Sequence, residues 1–293
     1  MRVAVTSGRL GGHLAAGLRS AGHEVLCLVE GEATGPDERH WEPAAGRIDG
    51  PGLSDVDAVA NLFEAGVWRR WTPEVRDHVR GSQVTGTLTI VSHLDPDGRC
   101  QRFANLSATA FYGDRGEEEL DADSRAGTGW LARSTADWEA AARHAPVSTV
   151  LLRTPIVLGV EGGAWERRRR GLLAGPFGHG RQWRSWIHVD DWVAAAILLL
   201  EGGTEGPVVL AAPEPVRDAD FAAALARASG RRPRTSVPER VLRWRFGEGL
   251  TAEVLMASHR VRPRILLDEL GFQHRHPDLD AAVAACVRES PGT

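Results

Sequence analysis

The chain contains no lysine: all 35 of its basic residues are arginine. It has one tyrosine, Tyr112, and three cysteines in 293 residues. Each shortage excludes something. Without lysine there is no ε-ammonium to depress the pKa of a neighbouring phenol. With one tyrosine, any mechanism that needs a phenol has a single place to find it. Cys27, Cys100 and Cys286 lie far apart, and two of them fall in apolar periodic segments, so buried thiols are expected rather than a disulfide framework or a metal cluster. The longest apolar run, Trp192 to Leu200, is about half the roughly 20 residues that cross a bilayer. No charged leader precedes the first apolar segment, so a cytoplasmic protein with no membrane association is expected. A net charge of −4 argues against a nucleic-acid partner. The local run from Arg167 to Arg170 reads as a solvated helix face or loop, or else as an anion contact.

What is present is an alternation of two periods. Residues 1–6 and 24–29 read as apolar strands flanking a helix over 10–21, which together make a βαβ unit. Further strand signals at 58–62, 102–107 and 149–152 alternate with helical stretches over 73–94 and 129–144. This order predicts an α/β fold: a Rossmann-type doubly wound parallel sheet, with ligands beyond the carboxyl ends of the strands where strand order reverses. After residue 158 the pattern loosens, then returns as an apolar helix from about 190, a strand at 208–211, and helices over 218–229, 238–246 and 252–258. The expected organisation is a nucleotide-type domain over residues 1–160 and a smaller, interleaved C-terminal substrate lobe over 161–293. Helices flanking such sheets often pair subunits, so a homodimer is expected.

Five blocks carry a resemblance: Ser107-Ala-Thr-Ala-Phe-Tyr-Gly-Asp-Arg-Gly116, Asp137-Trp-Glu-Ala-Ala141, Leu152-Arg-Thr-Pro-Ile-Val-Leu-Gly159, the stretch from Gly180 to Asp191, and Gly271-Phe-Gln-His-Arg-His-Pro-Asp-Leu279. They occur in order along nearly the whole chain. The chain resembles the extended short-chain dehydrogenase/reductase superfamily, and within it the epimerase-like branch often labelled cell-division-inhibitor homologues, whose C-terminal domain has no assigned function. The resemblance implies an NAD(P)-binding domain, a catalytic Ser/Thr on the fourth strand and, in most of the superfamily, a Tyr-x-x-x-Lys pair on the next helix. Aligning on Asp137-Trp-Glu139 puts Leu131 and Thr135 at the pair's positions. Neither can do that work, and there is no lysine elsewhere to substitute. The closest branch itself generally lacks the pair.

The nucleotide loop departs as well. Relatives carry T-G-G-T-G-F-I-G-x-H-L, whereas Thr6-Ser-Gly-Arg-Leu-Gly-Gly-His-Leu14 is two residues shorter when His13-Leu14 is held in register. Gly8 and Gly11 then read as the first and last glycines, with the middle one lost. Two residues span up to about 7 Å, so the cradle is expected to be narrowed or closed, with Arg9 binding an anion there or occupying its place. Glu30, ending the second strand, reads either as a ribose-binding acid that would favour NAD over NADP or as a solvated loop glutamate. Relatives read N-L-A-G-E where this chain has Asn61-Leu-Phe-Glu-Ala65, so Phe63 is expected to fill space beside a dinucleotide. No cofactor, or weakly bound NAD(P), is the expectation.

For chemistry, Ser107 keeps the superfamily's hydroxyl position, and Tyr112 and His188 are the acid/base candidates. Arg181 and Arg153 could orient a substrate, as could His179 less directly. His188 and Asp190 also read as a core histidine and a helix cap, and Tyr112 as a half-buried packing residue. His274-Arg-His276 is expected to be isolated and exposed, so no metal site is anticipated. Of ten tryptophans, Trp68, Trp71, Trp130, Trp165, Trp183 and Trp186 are expected to border the cleft and give it an apolar lining suited to a flat or hydrophobic small molecule. Three readings follow: an enzyme of small-molecule, secondary metabolism performing a non-hydride step such as isomerisation, dehydration or cyclisation; an NAD(P)-dependent oxidoreductase or epimerase tolerating the short loop; or a non-catalytic sensor or interaction protein.

Overall fold

The computed structural model describes residues 1–161, 166, 168, 174–232 and 234–289. Its framework is one eight-stranded sheet. The strands are β1 (Arg2–Thr6), β2 (Glu24–Val29), β3 (Glu38–Glu42), β4 (Arg47–Ile48), β5 (Ala58–Asn61), β6 (Arg102–Ala108), β7 (Ser148–Thr154) and β8 (Gly206–Val209), in the order β8-β7-β6-β5-β1-β2-β3-β4. All neighbouring pairs are parallel except β3 with β4. Strand order reverses between β1 and β5, where Val3 pairs with Ala58 and Val5 with Ala60. The crevice at their carboxyl ends is therefore the topological switch point of the sheet.

Helices cover both faces. They are α1 (Arg9–Ser20), α2 (Pro73–Ser92), α3 (Trp130–Ala142), α4 (Val189–Glu201), α5 (Asp218–Ala228), α6 (Glu239–Phe246) and α7 (Leu279–Glu289). One core cluster joins β1, α1 and α4 through Val3, Leu14, Leu18, Trp192 and Leu199. The other lies on the opposite face and includes Leu26, Trp41, Val59, Ile90 and Phe103. Both faces of β1 are thereby dry, which is why its sequence reads as a continuous apolar run rather than an alternation. Gly17 lets α1 approach α4 closely, since a methyl there would strike Val193.

Residues beyond 160 complete this layer rather than standing apart, because α4 and the edge strand β8 both belong to it. The remaining C-terminal elements form smaller clusters above the strand ends, one around Phe221, Leu279 and Val283 and another around Phe177, Leu242 and Leu255. The helix expected over 252–258 is present as a short π-helix, Thr251–Leu255, which follows a single helical turn at Glu248–Leu250 and leads to a short strand at Arg260–Val261 that pairs with Glu119–Leu120. No helix among the described residues is long and apolar enough to cross a membrane.

Candidate functional site

The nucleotide loop is short but regular. Only Ser7 and Gly8 separate β1 from α1, and the helix begins at Arg9 without unwinding. Gly11 packs so closely on β1 that a methyl would collide with the Thr6 carbonyl oxygen, which is the helix-to-strand role of the last glycine in a dinucleotide fingerprint. Gly8 caps the helix three residues earlier, where the middle glycine of that fingerprint exposes bare backbone. The assignment of Gly8 as the first glycine is thus corrected: the Gly8-x-x-Gly11 spacing keeps the second and third, and the turn-making first is lost. Among the described residues no side chain caps α1, and none accepts from its first-turn amides.

Arg9 forms an ion pair with Glu64, which follows β5 on the other side of the switch point. The pair bridges the crevice between the two halves of the sheet. Beneath it the strand ends are stitched by neutral hydrogen bonds: the Leu62 amide donates to Thr6 Oγ1 at 2.7 Å, and Asn61 donates to Asn105 at 2.8 Å and Thr87 at 3.1 Å. Trp138 Nε1 adds a bond to Thr87 at 2.9 Å.

From Arg9 and Leu10 a cavity of about 260 Å³ runs over the ends of β6 and β7 to the C-terminal segment. This is just below the roughly 300–1,000 Å³ of ligand pockets. Its lining is mostly apolar, with Val67, Trp68, Leu106, Leu131, Ile156 and Trp183 prominent. Leu131 and Thr135 both border it, one helical turn apart on α3. The positions of the superfamily's tyrosine and lysine therefore face the cleft, carrying side chains that cannot exchange a proton with a ligand.

Ser107 also borders the cavity, and its hydroxyl donates to Glu139 Oε1 at 2.6 Å. Glu139, fully buried on α3, accepts from Arg153 Nε at 2.8 Å and Nη2 at 3.0 Å, and from Arg143 at 3.2 Å. Arg153 Nη1 continues to the Ala122 carbonyl at 2.8 Å and to Tyr112 Oη at 3.1 Å, while Tyr112 donates to the Asp121 carbonyl at 2.7 Å. Sequence reasoning missed Glu139. Its signal was a lone acid in the stripe Leu131, Thr135, Trp138 and Glu139 that α3 turns inward, matched by a lone arginine in the apolar strand β7.

Several expected site residues lie elsewhere. Tyr112 does not line the cavity; it is fully buried, and burial pushes its phenol up to about 12, against the pull of Arg153. It is a neutral strut at neutral pH. Arg153 is likewise committed to Glu139 below the cavity floor. His188 is buried as the cap of α4, accepting from the Asp190 amide at 3.2 Å. His276 is not isolated: its ring stacks on His188 at 3.9 Å and lies 3.5 Å from Asp190. These three groups could in principle converge on an ion, with ligand atoms within 4.8 Å of one another. Their stacked rings, the Arg275 guanidinium 3.7 Å from Asp190, and the two backbone amides of Arg275 and His276 donating to Asp191 fit a latch on the C-terminal segment instead.

Phe63 turns to the opposite side, packing edge-on against Trp41 at 5.3 Å and over Gly86, so it fills the core and not the cleft. Trp186 is core, with Nε1 donating to the Glu214 carbonyl. Trp130 packs on Trp71 at 4.6 Å, outside the cavity lining. Arg181 is exposed and, like His179, borders nothing in the cleft. Glu30 is exposed in a separate shallow hollow with Arg39 and His40. Trp165, Arg167, Arg169 and Arg170 lie outside the described residues. Arg168 is not a solvated residue: it stacks on Phe177 at 3.8 Å and pairs with Asp218 at 3.2 Å, and burial lowers its pKa to about 10. Trp68 and Trp183 do line the cavity.

The C-terminal segment supplies the roof. Glu253 borders the cavity and accepts from the Leu131 amide at 2.7 Å, capping α3 from another part of the chain. Arg184, held by Asp218 at 2.8 Å, donates to the carbonyls of Val254 and Ala257, each at 3.1 Å. His259 is fixed by its amide to the Trp183 carbonyl at 3.1 Å and by Ser185 Oγ to its carbonyl at 2.9 Å. Burial, reinforced by Arg184, lowers its imidazole to about 4.

Comparisons with known proteins agree with this arrangement. Residues 5–211 match the NAD dependent epimerase/dehydratase family, and residues 237–286 match a domain of unknown function, DUF1731. The chain is 36% identical over 289 residues to an epimerase family protein of Mycobacterium bovis, covering 96% of this chain and 95% of that one. It is similar to the crystal structure of human epimerase family protein SDR39U1 (isoform 2) with NADPH, at 29% identity and a TM-score of 0.89, covering 98% and 99% of the two chains. A UDP-glucose 4-epimerase of Thermus thermophilus, solved with NAD, shares the fold at 18% identity and a TM-score of 0.76, covering 99% of this chain and all of that one. On its sheet, its crevice and these matches across nearly its whole length, the chain belongs to the NAD dependent epimerase/dehydratase family.

Proposed function

We propose that the protein is an enzyme that binds NAD(P) across the carboxyl ends of β1 and β5 and acts on a hydrophobic small molecule in the adjoining cavity. The observation that carries this reading is the continuity of that cavity, from the first turn of α1 to the C-terminal roof. The residues present fit a dinucleotide at the turn: Gly8 leaves bare backbone, Gly11 seats the helix on the strand, and the uncapped amides of α1 offer donors and a positive dipole end to a diphosphate. Glu30, exposed directly after β2 and outside the cavity, places a negative charge on that side of the crevice that disfavours a 2′-phosphate, so NADH is expected to bind more tightly than NADPH. When bound, the cofactor supplies hydride exchange with a substrate carbon. The chain's own part is to shape and dry the cavity, to hold Ser107 at its floor, and to admit the diphosphate by releasing Arg9 from Glu64. Proton exchange through a phenol and an ammonium has no place in it, because Leu131 and Thr135 occupy those positions.

One observation favours a second reading. The Arg9–Glu64 bridge spans the crevice, and a chain that kept it closed would use the same cavity for a non-hydride step on a product of secondary metabolism, such as an isomerisation, dehydration or cyclisation. Titration of the purified protein with NADH and NADPH, followed by nicotinamide fluorescence and calorimetry, separates the two. Saturable binding of either removes the second reading; no binding of either removes the first.

A further inference from the structure

We infer that the arginine-rich surface around Trp244 docks the protein on an anionic lipid surface, with the wall of the cavity directly behind it. The surface itself stands on charge and exposure. Only the choice of lipid as its partner rests on the reading of the cavity as a site for a hydrophobic small molecule.

The chain carries a net charge of −4, yet residues 231–246 hold six arginines and a single acid, Glu239. Positive charge is therefore gathered on one stretch rather than spread. That stretch ends in α6, whose side chains divide by helical spacing. Leu242 is fully buried, and Val241 and Phe246 pack with it on the cluster around Phe177 and Leu255. Arg240, Arg243 and Trp244, three and four residues apart, share the outward face. Trp244 is 78% exposed, the most open large apolar side chain among the described residues. A helix packed on a core turns its apolar side chains inward. Here a tryptophan is held outward among guanidiniums, which is the composition of an interfacial anchor: an aromatic ring for the headgroup level and cations for the phosphates.

A second element widens the surface. Arg70 crosses the end of α6, donating to the Trp244 carbonyl at 3.2 Å and lying against Gly247. Arg69, beside it, is also exposed. Of these cations Arg243 is balanced, by Glu239 and Glu248. Arg69, Arg70, Arg240 and Arg245 pair with no carboxylate among the described residues. Each such arginine near an anionic membrane is worth about fivefold in partition.

Position favours lipid over other anionic partners. Trp68, the residue before Arg69, lines the cavity and packs in the same cluster as Val241 and Phe246. The loop that presents Arg69 and Arg70 to the outside thus forms the cavity wall on its other side. A hydrophobic substrate held in a bilayer would meet the cavity where the protein meets the lipid. A peripheral contact of this kind needs no spanning helix.

Flotation of the protein with phosphatidylcholine vesicles, with and without about a third of phosphatidylglycerol, tests this. Binding to the anionic vesicles alone is expected, fading as salt is added. Arg69→Gln and Arg240→Gln are each expected to weaken it about fivefold. Trp244→Ala is expected to weaken it and to abolish quenching of tryptophan emission by brominated lipid. All three side chains are exposed, so thermal unfolding of the variants should match the wild type. No binding at low salt, or binding that these substitutions leave unchanged, overturns the inference. So does a dimer that Trp244→Ala dissociates, which would assign the surface to a second copy of the chain. Tighter retention of a labelled single-stranded oligonucleotide than of vesicles also overturns it, in favour of nucleic acid. The measurements contain neither nucleotide nor substrate. Vesicle binding without binding of NADH or NADPH would therefore remove the NAD(P) reading alone, and the reverse result would remove this inference alone.

Discussion

Two arginine–glutamate pairs flank the cleft and are held in opposite ways. Below the floor, Arg153 grips Glu139 through two nitrogens, with side-chain exposures of 2% and 0%. At the mouth, Arg9 meets Glu64 through a single contact, with exposures of 35% and 29%. Desolvation makes the difference consequential. A buried charge that loses its partner has no water to turn to, so the floor pair cannot be exchanged. The mouth pair competes with water and with any anion that arrives, so it can. The same two residue types thus build a fixed support in one place and a replaceable contact in the other.

The comparison breaks first at the floor. Arg153→Ala leaves Glu139 enclosed with only the Ser107 hydroxyl and one nitrogen of the half-exposed Arg143, and is expected to cost about 3–5 kcal/mol in urea unfolding. A loss no larger than that of a surface pair would show the floor to be as exchangeable as the mouth. The roof gives a pH version of the same contrast. His259 is held neutral, with a pKa lowered from 6.5 to about 4. The unfolded chain therefore takes up a proton as pH falls below 6.5 while the folded chain does not, and stability should drop by up to about 3 kcal/mol between pH 6.5 and 4. The loss should be smaller in His259→Gln, as read by urea midpoints across that range.

Tyr112 titrates on the alkaline side. Its pKa is raised from 10.0 to about 12, so the folded state keeps a proton that the unfolded state loses. Its contribution is complete below pH 10 and disappears as pH rises towards 12, by about 2–3 kcal/mol. As the only tyrosine, it can be followed by absorbance near 295 nm, and ionisation at its ordinary value in the folded protein would mean that the floor network is open to water.

At the mouth the effects shrink. Gly11→Ala places a methyl against the Thr6 carbonyl oxygen and should cost about 1–3 kcal/mol, whereas Gly12→Ala points into open space and should gain up to about 1 kcal/mol from helix propensity. Thermal unfolding of the two variants side by side checks that the distinction is positional. Smallest in stability is Glu64→Gln, expected below about 1 kcal/mol. Its signature lies in binding: with Arg9 released, affinity for NADH should rise severalfold, and the gain should fade as salt is added. Unchanged affinity would mean that Arg9 and Glu64 do not guard the crevice.

The sequence was informative where one period or one spacing carried the message. β1, α1 and β2 were legible because a dry strand is continuously apolar and a helix covering it repeats at 3.6. β3 was not, since Glu38-Arg-His-Trp-Glu42 buries only Trp41 and lies towards the edge of the sheet, where polar residues are tolerated. The cavity was partly legible: Ser107, Trp68 and Trp183 were placed by pattern and resemblance. Tyr112, His188 and Arg153 were misleading because chemical type says what a side chain can do and not which way the backbone turns it. Glu64, Glu139 and Glu253 escaped because their partners, Arg9, Arg153 and the Leu131 amide, are 55, 14 and 122 residues away. The two glycines of the loop were legible as a motif, but only the start of α1 at Arg9 showed which two they were.

The cap that Glu253 places on α3 bears on heredity. The two family matches divide the chain between residues 211 and 237, as though two modules had been joined end to end. Yet a carboxylate from the second segment completes the first turn of a helix in the first, and Ser258 binds the Gly116 carbonyl at 2.6 Å a few residues later. A gene that lost the trailing segment would shed more than an appendage: it would leave the helix carrying Leu131, Thr135 and Glu139 with a frayed start. The two segments therefore have mechanical reason to be inherited as one.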